Sequence, residues 1–161
     1  MSIDLAGLPY RPCVGVMLVN AEGKVFVGQR IDAKEGDRWQ MPQGGIDEGE
    51  DLHAAAFREL AEETGIGESL ATILATTSGE LLYDLPDELL GTLWGGRYRG
   101  QRQTWVLMRF TGEDADVDLA AHDPPEFFAW KWADPEELPE LIVPFKREVY
   151  QAIVDGFRDR I

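Results

Sequence analysis

Three glutamates, Glu59, Glu62 and Glu63, follow a pair of glycines, Gly44 and Gly45, in the stretch GGIDEGEDLHAAAFRELAEETGI. On a helix of 3.6 residues per turn, spacing of i, i+3 and i+4 puts all three carboxylates on one face. Ala56, Phe57, Leu60 and Thr64 fall on another face that can pack. Like charges so placed cost roughly a few tenths of a kcal/mol per pair on an exposed helix, and more where water is excluded. Two readings follow. A solvated acidic face tolerates the charge in water, whereas a bound cation neutralises it and makes the carboxylates oxygen ligands for a hard divalent metal. The triplet alone leaves both open.

The elements that must position these residues are legible in outline. The chain has 161 residues, 44% of them hydrophobic, with five Trp and seven Phe. That suffices for one core, and a single domain over residues 1–161 is expected. The apolar runs CVGVMLVN and KVFVGQR, separated by Ala21-Glu22-Gly23, predict a hairpin turning at Asn20 to Gly23. ATILATTS, TWVLMRF and FFAWKWA supply further strands. One helix is expected from about Asp51 to Thr64, stopped by Gly65. A second starts near Pro144 and carries Val149, Ile153 and Phe157 four apart. Strands interspersed with helices predict an α/β layered fold with a mixed sheet.

Charge and composition exclude several classes. Fifteen Lys and Arg against 30 Asp and Glu give a formal net charge of -15, which repels a long polyphosphate backbone and argues against an extended nucleic-acid groove. Recognition of one nucleic-acid end is still compatible with that charge, because metal ions locally reverse the field. The one cysteine, Cys13, lies in an apolar run and reads as a buried structural thiol, so neither a disulfide framework nor a cysteine zinc cluster is expected. No signal-peptide pattern opens the sequence and no segment approaches a membrane span, so a cytoplasmic protein without a membrane partner is expected. His53 and His122 have no partner pattern that would give them a catalytic role.

The surroundings of the glutamates carry more than the triplet does. Gly44, Glu50, Arg58-Glu59-Leu60, Glu62-Glu63 and Gly65-Ile66 fit G-x5-E-x7-R-E-U-x-E-E-x-G-U, where U is a bulky aliphatic. This resembles the Nudix box, here residues 44–66, with every fixed position filled. The resemblance implies an α/β/α sandwich with a mixed sheet, a loop-helix-loop unit binding Mg²⁺ or Mn²⁺, and hydrolysis of a phosphoanhydride next to a nucleotide. On that reading Glu59, Glu62 and Glu63 are metal ligands and the Gly44 carbonyl a further one. Glu59 is also the candidate general base or the residue that orients the attacking water. Arg58, separated from Glu50 by the seven variable positions of the box, can pair with that carboxylate and fix the loop on the helix, which Gly65 ends. Glu126, in DPPEFFAWKW, matches a carboxylate outside the box that serves as additional metal ligand or base.

Further blocks place the resemblance in one branch. YRPCVGVML, WQMPQGGI, YDLP, GQRQTWVL and VPFKREVY are similar to blocks of the RNA pyrophosphohydrolases and the asymmetrically cleaving diadenosine tetraphosphate hydrolases. The substrate implied is either a triphosphorylated RNA 5′ end, converted to a monophosphate, or a dinucleoside polyphosphate, cut for example into ATP and AMP. Arg11, Arg30 and Lys146 are candidate phosphate-binding cations in these blocks. Tyr83 and Phe145 are candidates for stacking on a base, and Gln43 and Gln101 for contacts to phosphate or water. The charged loop IDAKEGDR is longer than in the bacterial RNA-acting members, and WGGRYRGQ is closer to the dinucleotide hydrolases. A nucleotide-binding module without chemistry is the alternative class. Loss of a box carboxylate would be its mark, and none is lost. A calcium-stabilised acidic domain does not fit, since the spacing is not that of an EF-hand loop. A monomer or weak oligomer is expected.

Overall fold

A computed structural model describes residues 7–31, 38–86, 90 and 93–161. Its centre is a seven-stranded mixed sheet. Strand β1 (Tyr10–Val19) runs parallel to β6 (Gly100–Phe110), and this is the one parallel pairing among the described strands. On its other edge β1 meets β2 (Val25–Arg30) at Val19 and β3 (Gln43–Gly45) at Cys13 to Gly15. β6 carries β4 (Ala71–Thr76) along its C-terminal half and β5 (Leu81–Asp84) along its N-terminal half, and β7 (Phe127–Ala133) closes the far side against β2.

The alternation along β1 explains the layers. Val14, Val16 and Leu18 point to one face, where they join Phe26, Val106 and Met108 under Ala55, Ala56, Leu60 and Ile66 of helix α1 (Leu52–Thr64) and its exit. Met17 and Val19 point to the other, with Val27, Trp105 and Leu107, beneath Tyr150, Ile153, Val154 and Phe157 of helix α3 (Arg147–Phe157). A short helix α2 (Leu138–Leu141) completes that layer. The result is the expected α/β/α sandwich. Gly15 on β1 lies flat against the Trp105 ring, where a Cβ would come within 2.5 Å of the indole.

Helix α1 is delimited as its sequence requires. The Asp51 side chain accepts from Ala54 N–H at 3.1 Å, and Gly65 takes the left-handed conformation at φ 77 with its N–H returned to Ala61. The predicted hairpin turn is present, with Gly23 N–H donating to the Asn20 carbonyl and Val19 opposite Val25. Other details differ from expectation. β3 is two-thirds glycine and has no strand propensity of its own; pairing with β1 makes it a strand. β5 and α2 were not foreseen, β1 and β6 begin three or four residues earlier than their apolar runs, and the helix after Pro144 opens as a 3₁₀ turn over Pro144–Lys146 before α3 begins. Most of the charged loop IDAKEGDR lies outside the described residues. Among the described residues no helix is long and apolar enough to cross a membrane.

Candidate active site

Helix α1 turns two of its three motif glutamates inward. Glu59 is 8% and Glu63 5% exposed, in the same buried stripe as Ala55, Ala56 and Leu60, while Glu62 stays half-buried. The expected division between an acidic face and a packing face therefore does not hold. A solvated acidic face is excluded for Glu59 and Glu63.

β3 forms the opposing wall. A Cβ on Gly44 would overlap the Glu59 carboxyl group, so the strand backbone can rest on that carboxylate only where the side chain is absent. The neighbouring Gln43 N–H donates to Glu63 Oε2 at 3.1 Å. Glu126, just before β7, is close enough for its charge to act on both Glu59 and Glu63. Its carboxylate is 3.8 Å from the Arg30 guanidinium, and its carbonyl accepts from Ile31 N–H.

Arg58 organises the outer edge. It donates to Glu50 through Nε and Nη2 at 2.7 and 2.9 Å, to the Gly45 carbonyl at 2.9 Å, and through Nη1 to Glu59 at 2.8 Å and Glu62 at 3.3 Å. Glu50 also accepts from Asp47 N–H, so the 47–50 turn, β3 and α1 are fastened at one guanidinium. Hydrogen bonding to Arg58 and to the Asp47 amide holds the Glu50 carboxyl down at about 2.

The inner carboxylates are pushed the other way. Burial raises the Glu59 pKa against the pull of Arg58, with Glu62 and Glu126 adding repulsion. Burial, then the charges of Glu59 and Glu126, lift Glu63 well above the ordinary carboxylate value. Among the described residues no three Asp, Glu, His or Cys side chains already converge as a metal ligand set. Arg58 engages Glu59 and Glu62 while the Gln43 amide engages Glu63. The donor chemistry nonetheless fits a hard divalent cation. Several carboxylates repel one another in a partly water-excluded site, beside a glycine strand whose carbonyls can approach closely, and positive charge there would relieve the strain on their ionisation.

A second group of candidates lies on the opposite face of β3. Lys146 Nζ stands 5.5 Å over the Tyr83 ring and 5.8 Å over Phe145, and burial, with the charge of Arg30 adding, lowers its pKa to about 8. Phe145 is exposed, whereas Tyr83 is buried beneath it with ring centroids 5.9 Å apart. Arg11 reaches across Gly45, whose Cβ would meet its Nη2 at 2.6 Å, and its Nη1 lies 3.8 Å from Cys13 Sγ. Burial raises that thiol to about 11, consistent with a structural role.

Gln101 sits deeper than a direct phosphate contact requires, at 1% exposed. Its Oε1 accepts from Gln103 Nε2 at 2.7 Å, Gln103 Oε1 accepts from Trp105 Nε1 at 2.7 Å, and Gln103 Nε2 also lies 3.5 Å from Gln43 Oε1. Gln103 was missed by sequence reasoning, although Gln101, Gln103 and Trp105 alternate and so share a face. Asp47 was missed too; its backbone N–H donates to Glu50 and its exposed carboxylate lies 3.8 Å from the Arg58 guanidinium. Arg97, Tyr98 and Arg102 line an open cleft of about 960 Å³ beside Glu59, and the cation-rich RYRGQR run in an acidic chain was their available signal. His53 is exposed near Thr76 and His122 is exposed, so neither enters the site.

Residues 9–153 match the family model described as NUDIX domain. An RNA pyrophosphohydrolase of Novosphingobium aromaticivorans is 67% identical over 161 residues, covering 100% of both chains. One from Erythrobacter litoralis is 62% identical over 99% of this chain and 98% of its own. Among solved structures, a dihydroneopterin triphosphate pyrophosphohydrolase of E. coli superposes with TM-score 0.68 at 23% identity, covering 91% of this chain and 98% of that one. An Ap4A hydrolase of C. elegans does so with TM-score 0.63 at 18% identity and the same coverage. A complete box set on this α/β/α frame, a family model spanning most of the sequence and relatives alike from end to end make the chain a member of the Nudix family, a hydrolase acting on phosphoric anhydrides.

Proposed function

We propose that this protein converts the 5′-triphosphate end of RNA to a 5′-monophosphate, with Mg²⁺ or Mn²⁺ as cofactor. The observation that carries the reading is the 67% identity, over the full length of both chains, to a protein named RNA pyrophosphohydrolase. Glu59, Glu62, Glu63 and Glu126, with the Gly44 carbonyl, are the groups that would hold the cation. When bound, the cation neutralises phosphate charge and so lowers the barrier to attack by water.

The chain's own groups divide the remaining work. Glu59, buried against β3 with a raised proton affinity, is suited to take the proton of the attacking water. Arg58 keeps Glu59 and Glu62 in place by anchoring to Glu50 and Gly45, which makes it a positioning residue. Arg11, Arg30 and Lys146 offer positive charge for the phosphates. Phe145 presents the exposed ring on which a base can stack, and Tyr83 supports it from below. Gln101 acts through Gln103 to orient the Gln43 amide.

The test is a comparison, in Mg²⁺, of a short 5′-triphosphorylated RNA with diadenosine tetraphosphate. A much higher kcat/KM for RNA, yielding the monophosphate, is the expected result. Faster release of ATP and AMP from the dinucleotide would replace this reading with the dinucleoside polyphosphate one. Activity on neither would overturn both.

A further inference from the structure

The cleft beside Glu59 has two unlike walls. The 47–50 turn, with Arg58 behind it, forms an acidic side; Arg97, Tyr98 and Arg102 form a basic one. In a chain with twice as many acidic as basic residues, Arg11, Arg97 and Arg102 line this one cleft besides Arg58, whose donors the box carboxylates and the Gly45 carbonyl already occupy. Local structure explains their placement. Gly95 and Gly96 turn the backbone at φ 69 and 74, and Arg99 N–H donates to the Pro9 carbonyl at 3.0 Å, docking the incoming chain beside the start of β1. Arg102 pairs in register with Pro12 and alternates with the inward Gln101 and Gln103, so it emerges on the Glu59 side of the sheet. Arg97 is exposed, its guanidinium 5.9 Å from the Tyr98 ring centroid. Arg102 meets Glu80 at 3.1 Å with both side chains nearly half exposed, and such a pair holds an arginine only weakly. At about 960 Å³ the cleft lies near the upper end of the roughly 300–1,000 Å³ typical of small-ligand sites, leaving room for more than one nucleotide.

The geometry points to Arg97 and Arg102 as a backbone-binding wall that contacts the phosphodiesters of the nucleotides following the triphosphorylated one, with Tyr98 beneath the chain. This rests on the RNA reading above and deepens it. It also reconciles a strongly acidic protein with a polyanionic substrate, because the positive field is confined to the first few nucleotides.

Steady-state kinetics in Mg²⁺ on triphosphorylated RNAs of one to four nucleotides test it. In the wild type, kcat/KM should climb about tenfold or more with length. In the Arg97→Ala/Arg102→Ala double variant that climb should collapse through KM, and the slope of log(kcat/KM) against log salt should fall by about 0.7 for each phosphate the variant no longer neutralises. Arg97→Lys/Arg102→Lys should recover most of the length dependence. Arg158→Ala, which removes a surface charge paired with Glu136 beyond the end of α3, should match the wild type. A length dependence preserved in the double variant, or absent from the wild type while RNA is still cleaved, overturns the wall and leaves the RNA reading standing. A wild type that ignores RNA and cleaves only dinucleotides overturns the RNA reading itself.

Discussion

Arg58 grips Glu50 through two parallel hydrogen bonds, Nε to Oε2 at 2.7 Å and Nη2 to Oε1 at 2.9 Å. The fork leaves Nη1 for Glu59 and Glu62, so one planar group sets the spacing between the box loop and the helix. Lysine keeps the charge but is a point donor that cannot bridge these partners. Arg58→Lys should therefore lower kcat or divalent-cation affinity by about 10- to 100-fold, the usual cost of losing a group that orients metal ligands. Calorimetric Mg²⁺ titration alongside steady-state rates checks this; wild-type values in the lysine variant would show that charge alone suffices.

Glu63 gives a stability signature independent of turnover. Its folded pKa is raised above the ordinary 4.5 by burial and by the charges of Glu59 and Glu126. Above pH 4.5 the folded state thus binds more protons than the unfolded chain, and stability must fall as pH rises through that window. Glu50 works in the opposite sense, its contribution present above 4.5 and lost as pH falls toward about 2. Chelated protein should consequently melt at a lower temperature at pH 7.5 than at pH 5.5. Glu63→Gln should flatten that difference, and Mg²⁺ should raise the wild-type Tm at pH 7.5 far more than the variant's. The same variant should lose orders of magnitude in turnover while remaining folded by circular dichroism. A steeper pH dependence in Glu63→Gln would contradict this account.

How far the sequence carried the site follows from which physics each residue depends on. The spacing of Glu59, Glu62 and Glu63 and the Gly65 stop are local, so the helix was read to within a residue, with Asp51, expected as its first residue, serving as its N-cap. The inward turn of Glu59 and Glu63 is tertiary, for it depends on β3, a three-residue strand that exists only because β1 pairs with it. Tyr83 and Gln101 were legible as members of matching blocks, but a sequence block does not reveal depth, and both proved buried. Gln103 escaped attention because its role is to relay hydrogen bonds between Gln43, Gln101 and Trp105, which are distant or offset in sequence.

Gly44 tests the closeness of β3 to α1. An added methyl would overlap the carboxyl atoms of Glu59, forcing that side chain or the strand to move. Its backbone is not in the left-handed region, so the effect is one of space alone. Gly44→Ala should reduce kcat by about 10²-fold, the scale on which a displacement of about 1 Å acts on positioned groups. KM should change less. Unchanged kcat would mean that Glu59 can swing away without consequence for the chemistry.

Lys146 makes the strongest prediction about pH. Burial, reinforced by Arg30, lowers its folded pKa from 10.5 to about 8, so it is charged at neutral pH and loses that charge just above. Between about 8 and 10.5 the folded state binds fewer protons than the unfolded chain, and its contribution to stability rises with pH across that window. Phosphate binding responds in the opposite direction, since the neutral amine attracts the substrate less. KM should therefore climb between about pH 7.5 and 9.5 in the wild type while thermal stability gains from the same deprotonation. Lys146→Arg, which stays charged throughout, should flatten the KM profile. Lys146→Met should raise KM at about pH 7 to near the wild-type value at about pH 9.5 and make it pH-independent. A KM that rises with pH in Lys146→Met as steeply as in the wild type would assign the titration to another group and remove Lys146 from the phosphate site.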